Sequence, residues 1–279
     1  MIKSSTRPLA ISVAVVAMLL AIVSSPVLAI TNGEPDNGRH PYVGLMVAHD
    51  AAGNALWRCS GTLMSSRVFL VAGHCTEAPA ATAQIWFDED LTDAALHSYP
   101  TKGDASGKTY THPDYDPDNF VLRDVGLVIL DRPYRSNTYG QLPRLNSLES
   151  LKPSNKTTFT SVGYGRQDSY PDAAAWKNDA QRIRLVAYPQ LKEINTPNTG
   201  DYSLWLVANA SDGGTCFGDS GGPNFLGSSL IVAGVTSYGI NRTCTGTSGI
   251  FRMDRSWALA FVNDAFDGVM GDDYDGGNS

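Results

Sequence analysis

The stretch Cys216-Phe217-Gly218-Asp219-Ser220-Gly221-Gly222-Pro223 decides how the rest of the chain is read. A serine hydroxyl is a poor nucleophile until a neighbouring base takes its proton and nearby donors can hold an oxyanion. Glycines on both sides of Ser220 permit unusual dihedrals and let a substrate approach closely. In such a loop the N–H groups of Gly218 and Ser220 can aim at one point. By itself the stretch could still be a glycine-rich turn carrying a solvated serine. Two further segments change that. Val71-Ala72-Gly73-His74-Cys75 puts a candidate base at the end of an apolar run. Arg123-Asp124-Val125-Gly126-Leu127-Val128-Ile129-Leu130 puts a carboxylate at the mouth of another. Taken singly, His74 reads as a structural histidine and Asp124 as a turn cap. Together, in the order His74, Asp124, Ser220, they supply the base, the orienting carboxylate and the nucleophile that a Ser-His-Asp triad requires.

Around these segments the chain is a series of short runs rich in Val, Ile, Tyr, Phe and Thr, at 42–48, 68–72, 83–87, 125–130, 157–164, 182–188, 202–207, 230–238 and 249–253. Turn residues separate them, among them Ala52-Gly53-Asn54, Asn198-Thr199-Gly200 and Leu226-Gly227-Ser228. Many short strands with turns between them predict an all-β sandwich or barrel architecture. One helix is expected over 255–266, where Trp257, Leu259, Phe261 and Ala265 recur at helical spacing and Asp254 is a candidate N-cap. The segment 267–279, with its Asp and Gly residues, reads as an acidic, disordered tail.

The first 29 residues differ from the rest. Lys3 and Arg7 are the only charges, an apolar run extends from Leu9 to Val23, and Ser24-Ser25-Pro26-Val27-Leu28-Ala29 follows. This predicts a secretory signal peptide cleaved after Ala29. The apolar run is shorter than the roughly 20 residues a bilayer-spanning helix needs, so no membrane association is expected after cleavage. The whole chain has 279 residues, a formal charge of −7 and 42% hydrophobic residues, a globular composition. An acidic chain argues against nucleic acid as a partner, and export makes disulfides plausible.

Taken together, the segments resemble the chymotrypsin-like (trypsin-family) serine endopeptidases over nearly all of 30–266. Ile30-Thr31-Asn32-Gly33 resembles that family's mature N-terminus, and Ser60-Gly61-Thr62-Leu63 the strand before the histidine. Ala72-Gly73-His74-Cys75, His112-Pro113-Asp114-Tyr115-Asp116 and Arg123-Asp124-Val125-Gly126-Leu127 resemble the histidine and aspartate motifs. Residues 216–223 resemble the serine motif, and Thr236-Ser237-Tyr238-Gly239 the substrate-pairing strand. The resemblance implies two six-stranded antiparallel β-barrels with the active site between them, and a C-terminal helix. It implies Ser220 as nucleophile, His74 as general base and then acid, Asp124 as orienting carboxylate, and Gly218 and Ser220 as oxyanion-hole donors.

Four cysteines allow three pairings, and the resemblance selects Cys59–Cys75 and Cys216–Cys244. It also implies that a free Ile30 ammonium pairs with Asp219. Because the signal peptide would end directly at Ile30, no zymogen step is expected. Thr31 departs from the family's usual Val. Aligned back from Ser220, the base of the primary pocket falls at Gly214 with Thr215 beside it, and the walls at Gly239 and Gly249. With Asp212 two residues out of register, an uncharged, roomy pocket for large apolar or aromatic residues is expected. The alternatives are cleavage after Lys or Arg, and a non-catalytic secreted binding protein on the same fold. Ser237, Tyr238 and Gly239 would pair with a substrate backbone as an added strand. The acidic run Asp88-Glu89-Asp90 with Asp93 reads as a solvated loop rather than a Ca²⁺ cage. No cofactor or metal is expected. The expected partners are protein or peptide substrates and protein inhibitors, acting on a monomer. Asn155, Asn209 and Asn241 fit the glycosylation pattern.

Overall fold

β-branched and aromatic runs broken by turn residues form strands here, as their side chains fit a pleated, buried surface. The computed structural model describes residues 30–119, 122–154, 156–177, 180–209 and 211–268. The expected signal peptide and nearly all of the acidic tail lie outside the described residues. Fourteen strands and one α-helix occur among them. They are β1 (Glu34–Pro35), β2 (Val43–His49), β3 (Ala55–Leu63), β4 (Val68–Val71), β5 (Thr82–Trp86), β6 (Ala105–Thr111) and β7 (Gly126–Leu130). Then come β8 (Phe159–Gly163), β9 (Leu185–Ala187), β10 (Leu191–Ile194), β11 (Ser203–Ala208), β12 (Pro223–Leu226), β13 (Val232–Gly239), β14 (Gly246–Arg252) and α1 (Ser256–Phe266).

The first barrel closes in the order β2-β3-β4-β7-β6-β5. β2 is buried at every position. Alternate side chains explain why: Met46 and Ala48 enter the main core, whereas Leu45 and Val47 pack with Trp86, Leu91 and Tyr164. Tyr164 belongs to the second half of the chain, so β2 has no solvent face.

The second sheet is eight-stranded, in the order β1-β9-β8-β12-β13-β14-β11-β10, rather than a plain six-stranded barrel. The difference has two causes. β9 and β10 are one run interrupted at Pro189, which has no N–H to give. Its first part pairs with β8 and its second with β11. The Thr158↔Gln190 bridge joins the β10 end back towards β8, so these strands still wrap around. β1 adds a further strand on the outer edge of β9. This is the expected two-barrel arrangement with its C-terminal helix.

α1 buries Ala258, Phe261, Val262 and Ala265. Of the expected stripe Phe261 and Ala265 face the core, whereas Trp257 and Leu259 are only partly buried and Ala258 and Val262 lie inside instead. The expected cap at Asp254 is corrected by the structure. Arg255 is the N-cap and makes no side-chain cap bond. Asp254 is fully buried and receives Arg252 Nε at 2.9 Å, Arg252 Nη2 at 2.8 Å and the Leu148 N–H at 2.9 Å. A carboxylate beside a buried guanidinium gains more from that pair than from a helix end.

Candidate active site

The β4–β7 pair sets the acid–base couple. Val71, the last residue of β4, lies opposite Gly126, the first of β7. The chain leaving β4 and the chain entering β7 therefore share one rim, which brings His74 beside Asp124. A 3-10 turn over Gly73–Cys75 carries His74. Its seat on β7 requires glycine at 126, where a Cβ would fall 2.6 Å from the Ala72 carbonyl.

Asp124 is fully buried, and a buried carboxylate needs donors. It has three. The His74 backbone N–H donates at 2.8 Å, His74 Nδ1–H at 3.0 Å, and the Ser237 hydroxyl at 2.5 Å. With Nδ1 donating, His74 Nε2 is left as the bare acceptor. Burial pushes the imidazole pKa down, but the Asp124 charge and hydrogen bond outweigh it and hold the pKa above 6.5. Sequence reasoning placed Ser237 only on the substrate-pairing strand. Its bond to Asp124 arises from a slip in the β13–β14 register between Thr236 and Tyr238. Such a bulge re-aims a side chain, and no local motif announces it.

The second sheet delivers the serine. The Gly221 N–H donates to Thr236 O at 2.7 Å and the Thr236 N–H to Gly222 O at 2.9 Å, laying the loop along β13. Ser220 and His74 both line a cavity of about 400 Å³. Of the residues expected to meet substrate, the structure brings Thr215, Ser237, Tyr238 and Gly239 to this cavity. It does not bring Gly214 or Gly249. Gly214 pairs with Thr31, and a Cβ on it would meet Ala208 at 2.3 Å. The open face of Gly249 is covered by the Tyr238 ring, whose hydroxyl accepts from Trp205 Nε1 at 2.8 Å. Phe217 and Ile240, each about half exposed, complete the apolar side of the cavity.

Behind the loop, Asp219 is fully buried and accepts the N–H groups of Gly165 at 2.8 Å and Cys216 at 2.9 Å. A Cβ on Gly163 or Gly165 would fall 2.2 or 2.3 Å from its carboxylate, so only glycine leaves room for it. Burial pushes its pKa up to about 7, against the pull of those two N–H groups and of Arg58. Among the described residues no side-chain cation lies within 4.0 Å of it. Ile30 is fully buried against Leu185 and Ala187, and Thr31 O accepts the Gly214 N–H at 3.1 Å. Gly218 has φ +96°, and a Cβ there would meet Gly165 Cα at 3.1 Å.

The disulfides are Cys59–Cys75 and Cys216–Cys244. The first ties β3 to the histidine turn and the second ties the serine loop to the cavity wall. Cys59, His74 and Cys75 lie close enough to suggest metal ligands, but both sulfurs are held in the disulfide, which leaves one donor. The acidic run is dispersed among internal contacts. Glu89 accepts the Asn37 and Gly38 N–H groups, Asp90 accepts the Thr92 N–H, and Asp88 faces His97.

A two-barrel fold with histidine, aspartate and serine at the seam defines the chymotrypsin-fold class. The Trypsin family profile matches residues 30–254, and the chain belongs to that family. It is 24% identical over 235 residues to phenoloxidase-activating factor 3 of Holotrichia diomphalia, covering 77% of this chain and 65% of that relative's length. Chymotrypsin of Phaedon cochleariae is 26% identical over 232 residues, covering 81% and 78%. Human heparin binding protein has the same fold, with a TM-score of 0.64 at 19% identity over 86% of this chain and 98% of that one. No helix among the described residues is long and apolar enough to cross a membrane.

Proposed function

We propose that this chain is a secreted serine endopeptidase. Ser220 attacks the scissile carbonyl, His74 takes and returns the proton, and Asp124 holds the imidazole. The N–H groups of Gly218 and Ser220 receive the oxyanion. The observation that carries this reading is the buried Asp124 donating no proton and accepting three, with His74 Nδ1–H among them. With Nδ1 engaged by Asp124, Nε2 is left as the acceptor of His74, and His74 and Ser220 line the same cavity. Substrates are proteins or peptides, and protein inhibitors would occupy the same cavity.

The cavity favours a large apolar or aromatic residue before the scissile bond. Phe217, Tyr238 and Ile240 line it, no carboxylate does so among the described residues, and Arg242 would repel a substrate cation. Asp212, the carboxylate nearest in sequence to Gly214, is engaged by Asn209 Nδ2 at 2.9 Å and Gln190 Nε2 at 3.3 Å.

The site is completed when the bond before Ile30 is cut. Ile30 has φ +51°, a costly conformation for a β-branched residue that a free terminus does not have to adopt. Cutting removes that constraint and creates an ammonium group for Asp219, the buried carboxylate without a side-chain cation. Sequencing the N-terminus of active secreted protein tests this step, and active enzyme beginning anywhere but Ile30 overturns it.

Digestion of a mixed peptide library by wild type and Ser220→Ala tests the main reading. Wild type should cut after Phe, Tyr or Leu and label with an organophosphonate; the variant should do neither. Cuts after Lys or Arg would overturn the pocket assignment. A wild type that neither cuts nor labels would make the chain a binding protein on this fold.

A further inference from the structure

The oxyanion loop has a structural weakness that the catalytic residues themselves do not remedy. Both proposed donors lie on Gly218-Asp219-Ser220, and Gly218 and the following Gly221 sit at φ +96° and +77°. Glycine at such angles has many accessible conformations, so the loop needs an external restraint to keep both N–H groups aimed at one point.

That restraint comes from the other barrel. Ser60 on β3 is fully buried. Its backbone N–H donates to the Ser220 carbonyl at 2.9 Å, and its hydroxyl donates to the Gly218 carbonyl at 2.9 Å. The same hydroxyl accepts the Tyr164 N–H at 2.9 Å. Because an amide N–H can only donate, the Ser60 proton must point at Gly218, which fixes the direction of the whole relay. One residue thus holds the first and last carbonyls of the oxyanion segment. The glycines yield to it: a Cβ on Gly221 would meet Ser60 O at 2.6 Å, and one on Gly222 would meet Ser60 Cβ at 3.2 Å.

The relay is anchored at its far end. The Tyr164 hydroxyl accepts from Arg184 Nη1 at 2.9 Å and donates to Asp88 O at 2.8 Å. Arg184 is held in turn by Asp36 at 2.9 Å and by the Val43 and Phe87 carbonyls. Tyr164 therefore presents its N–H from a fixed backbone.

We infer that Ser60 is a positioning residue for the oxyanion hole: its hydroxyl fixes the Gly218–Asp219 peptide, the link between the two donor N–H groups, and so sets the directions in which they point. The inference rests on the protease reading above. It predicts a split between ground-state and transition-state binding, because Ser60 touches neither the cavity nor the acid–base couple. Ser60→Ala, normalised to phosphonate-labelled sites, should lower kcat about tenfold, less than the ~10²–10³ of losing a donor outright. KM on a peptide amide chosen from the library should stay within twofold. Affinity for the matching peptide aldehyde, whose adduct oxygen occupies the hole, should fall by the same factor as kcat.

A kcat within twofold of wild type overturns the inference, even if the melting temperature drops. So does a rise in KM with aldehyde affinity unchanged. If Ser60→Ala does not accumulate as folded protein, Ser60→Gly, which removes the hydroxyl and adds no bulk, is read in the same way. A wild type that neither hydrolyses nor labels overturns the protease reading and this inference together. A working wild type with an indifferent Ser60 overturns the inference alone.

Discussion

Asp36 and Asp219 are both fully buried aspartates, yet their surroundings differ. Asp36 receives Arg184 Nε at 2.9 Å, His40 Nδ1 at 2.5 Å and the His40 N–H at 3.0 Å. Burial pushes its pKa up, but the His40 bond and the Arg184 charge outweigh that and hold it below 3.8. Asp219 has two backbone N–H groups and no adjacent side-chain cation among the described residues, and burial carries its pKa to about 7. The first carboxylate has its cation written into the sequence. The second has no side-chain cation beside it among the described residues, and its raised pKa reflects the cost of ionising a carboxylate there. A permanent pair fastens the fold, whereas an unfilled one makes the fold respond to an event.

The largest expected effect comes from breaking the permanent pair. Arg184→Met should cost about 3–5 kcal/mol, because it leaves Asp36 buried without its cation. Urea unfolding measures it, and adding Asp36→Asn should recover part of the loss. A loss below about 1 kcal/mol would erase the contrast between the two sites, since that is the worth of an exposed pair. At the other site, Asp219→Asn should leave most of the fold intact and lower kcat/KM by about 10²–10³, the scale of losing an oxyanion donor. Retained activity would mean that the Gly218 N–H is held without Asp219.

The two aspartates also carry opposite pH signatures. A raised carboxylate pKa weakens the folded state as pH climbs from the unfolded value towards the folded one. Protein still carrying residues before Ile30 should therefore lose about 2 kcal/mol of stability between pH 5.5 and 7 from Asp219. Asp36, with its lowered value, stabilises above 3.8 and loses that contribution only as pH falls further. Protein beginning at Ile30 should lack the neutral-pH decline, because its ammonium pairs with Asp219. Its activity should instead fail above about pH 8, as the amine, with a free value of about 7.7–8.0 raised by pairing, gives up its proton. Parallel urea titrations of the two forms test this, and identical pH dependence would sink the Ile30–Asp219 pair.

What could be read in the sequence follows the distance between partners. His74, Asp124 and Ser220 each sit in a short run of distinctive residues, and the β4–β7 register brings the first two together. The Ser60 and Arg184 relays could not be read, because Ser60 meets Gly218 across 158 positions and Arg184 meets Asp36 across 148. A serine before a glycine on a strand looks the same whether or not its hydroxyl finds a carbonyl in the other barrel. Asp254 misled for a related reason. An aspartate before a helical run signals a cap, and only burial beside Arg252 reveals the stronger partner. The count of strands in the second sheet depended on Pro189 splitting one run and on the two-residue β1, neither of which periodicity can detect.

Asp124, fully buried like Asp36, Asp219 and Asp254, adds a different case. Asp36 has a permanent cation and Asp219 would acquire one once, on cleavage. Asp124 would face a cation in every turnover, when His74 takes the serine proton. The structure already favours that cation, since Asp124 holds the His74 pKa above 6.5 against burial. Catalysis needs neutral His74 at the start, so kcat/KM should rise with pH along a limb whose midpoint lies above 6.5, a modest shift and the smallest effect expected here. A midpoint at or below that value would mean that desolvation, not Asp124, governs the imidazole. The same raised pKa carries a stability cost of definite sign. Protonated His74 stabilises the fold below about 6.5, and that contribution fades as pH climbs through the folded value. The rise in activity should therefore coincide with a slight loss of stability, so the cation that helps Asp124 most is one the proposed mechanism must do without at the start of each turnover.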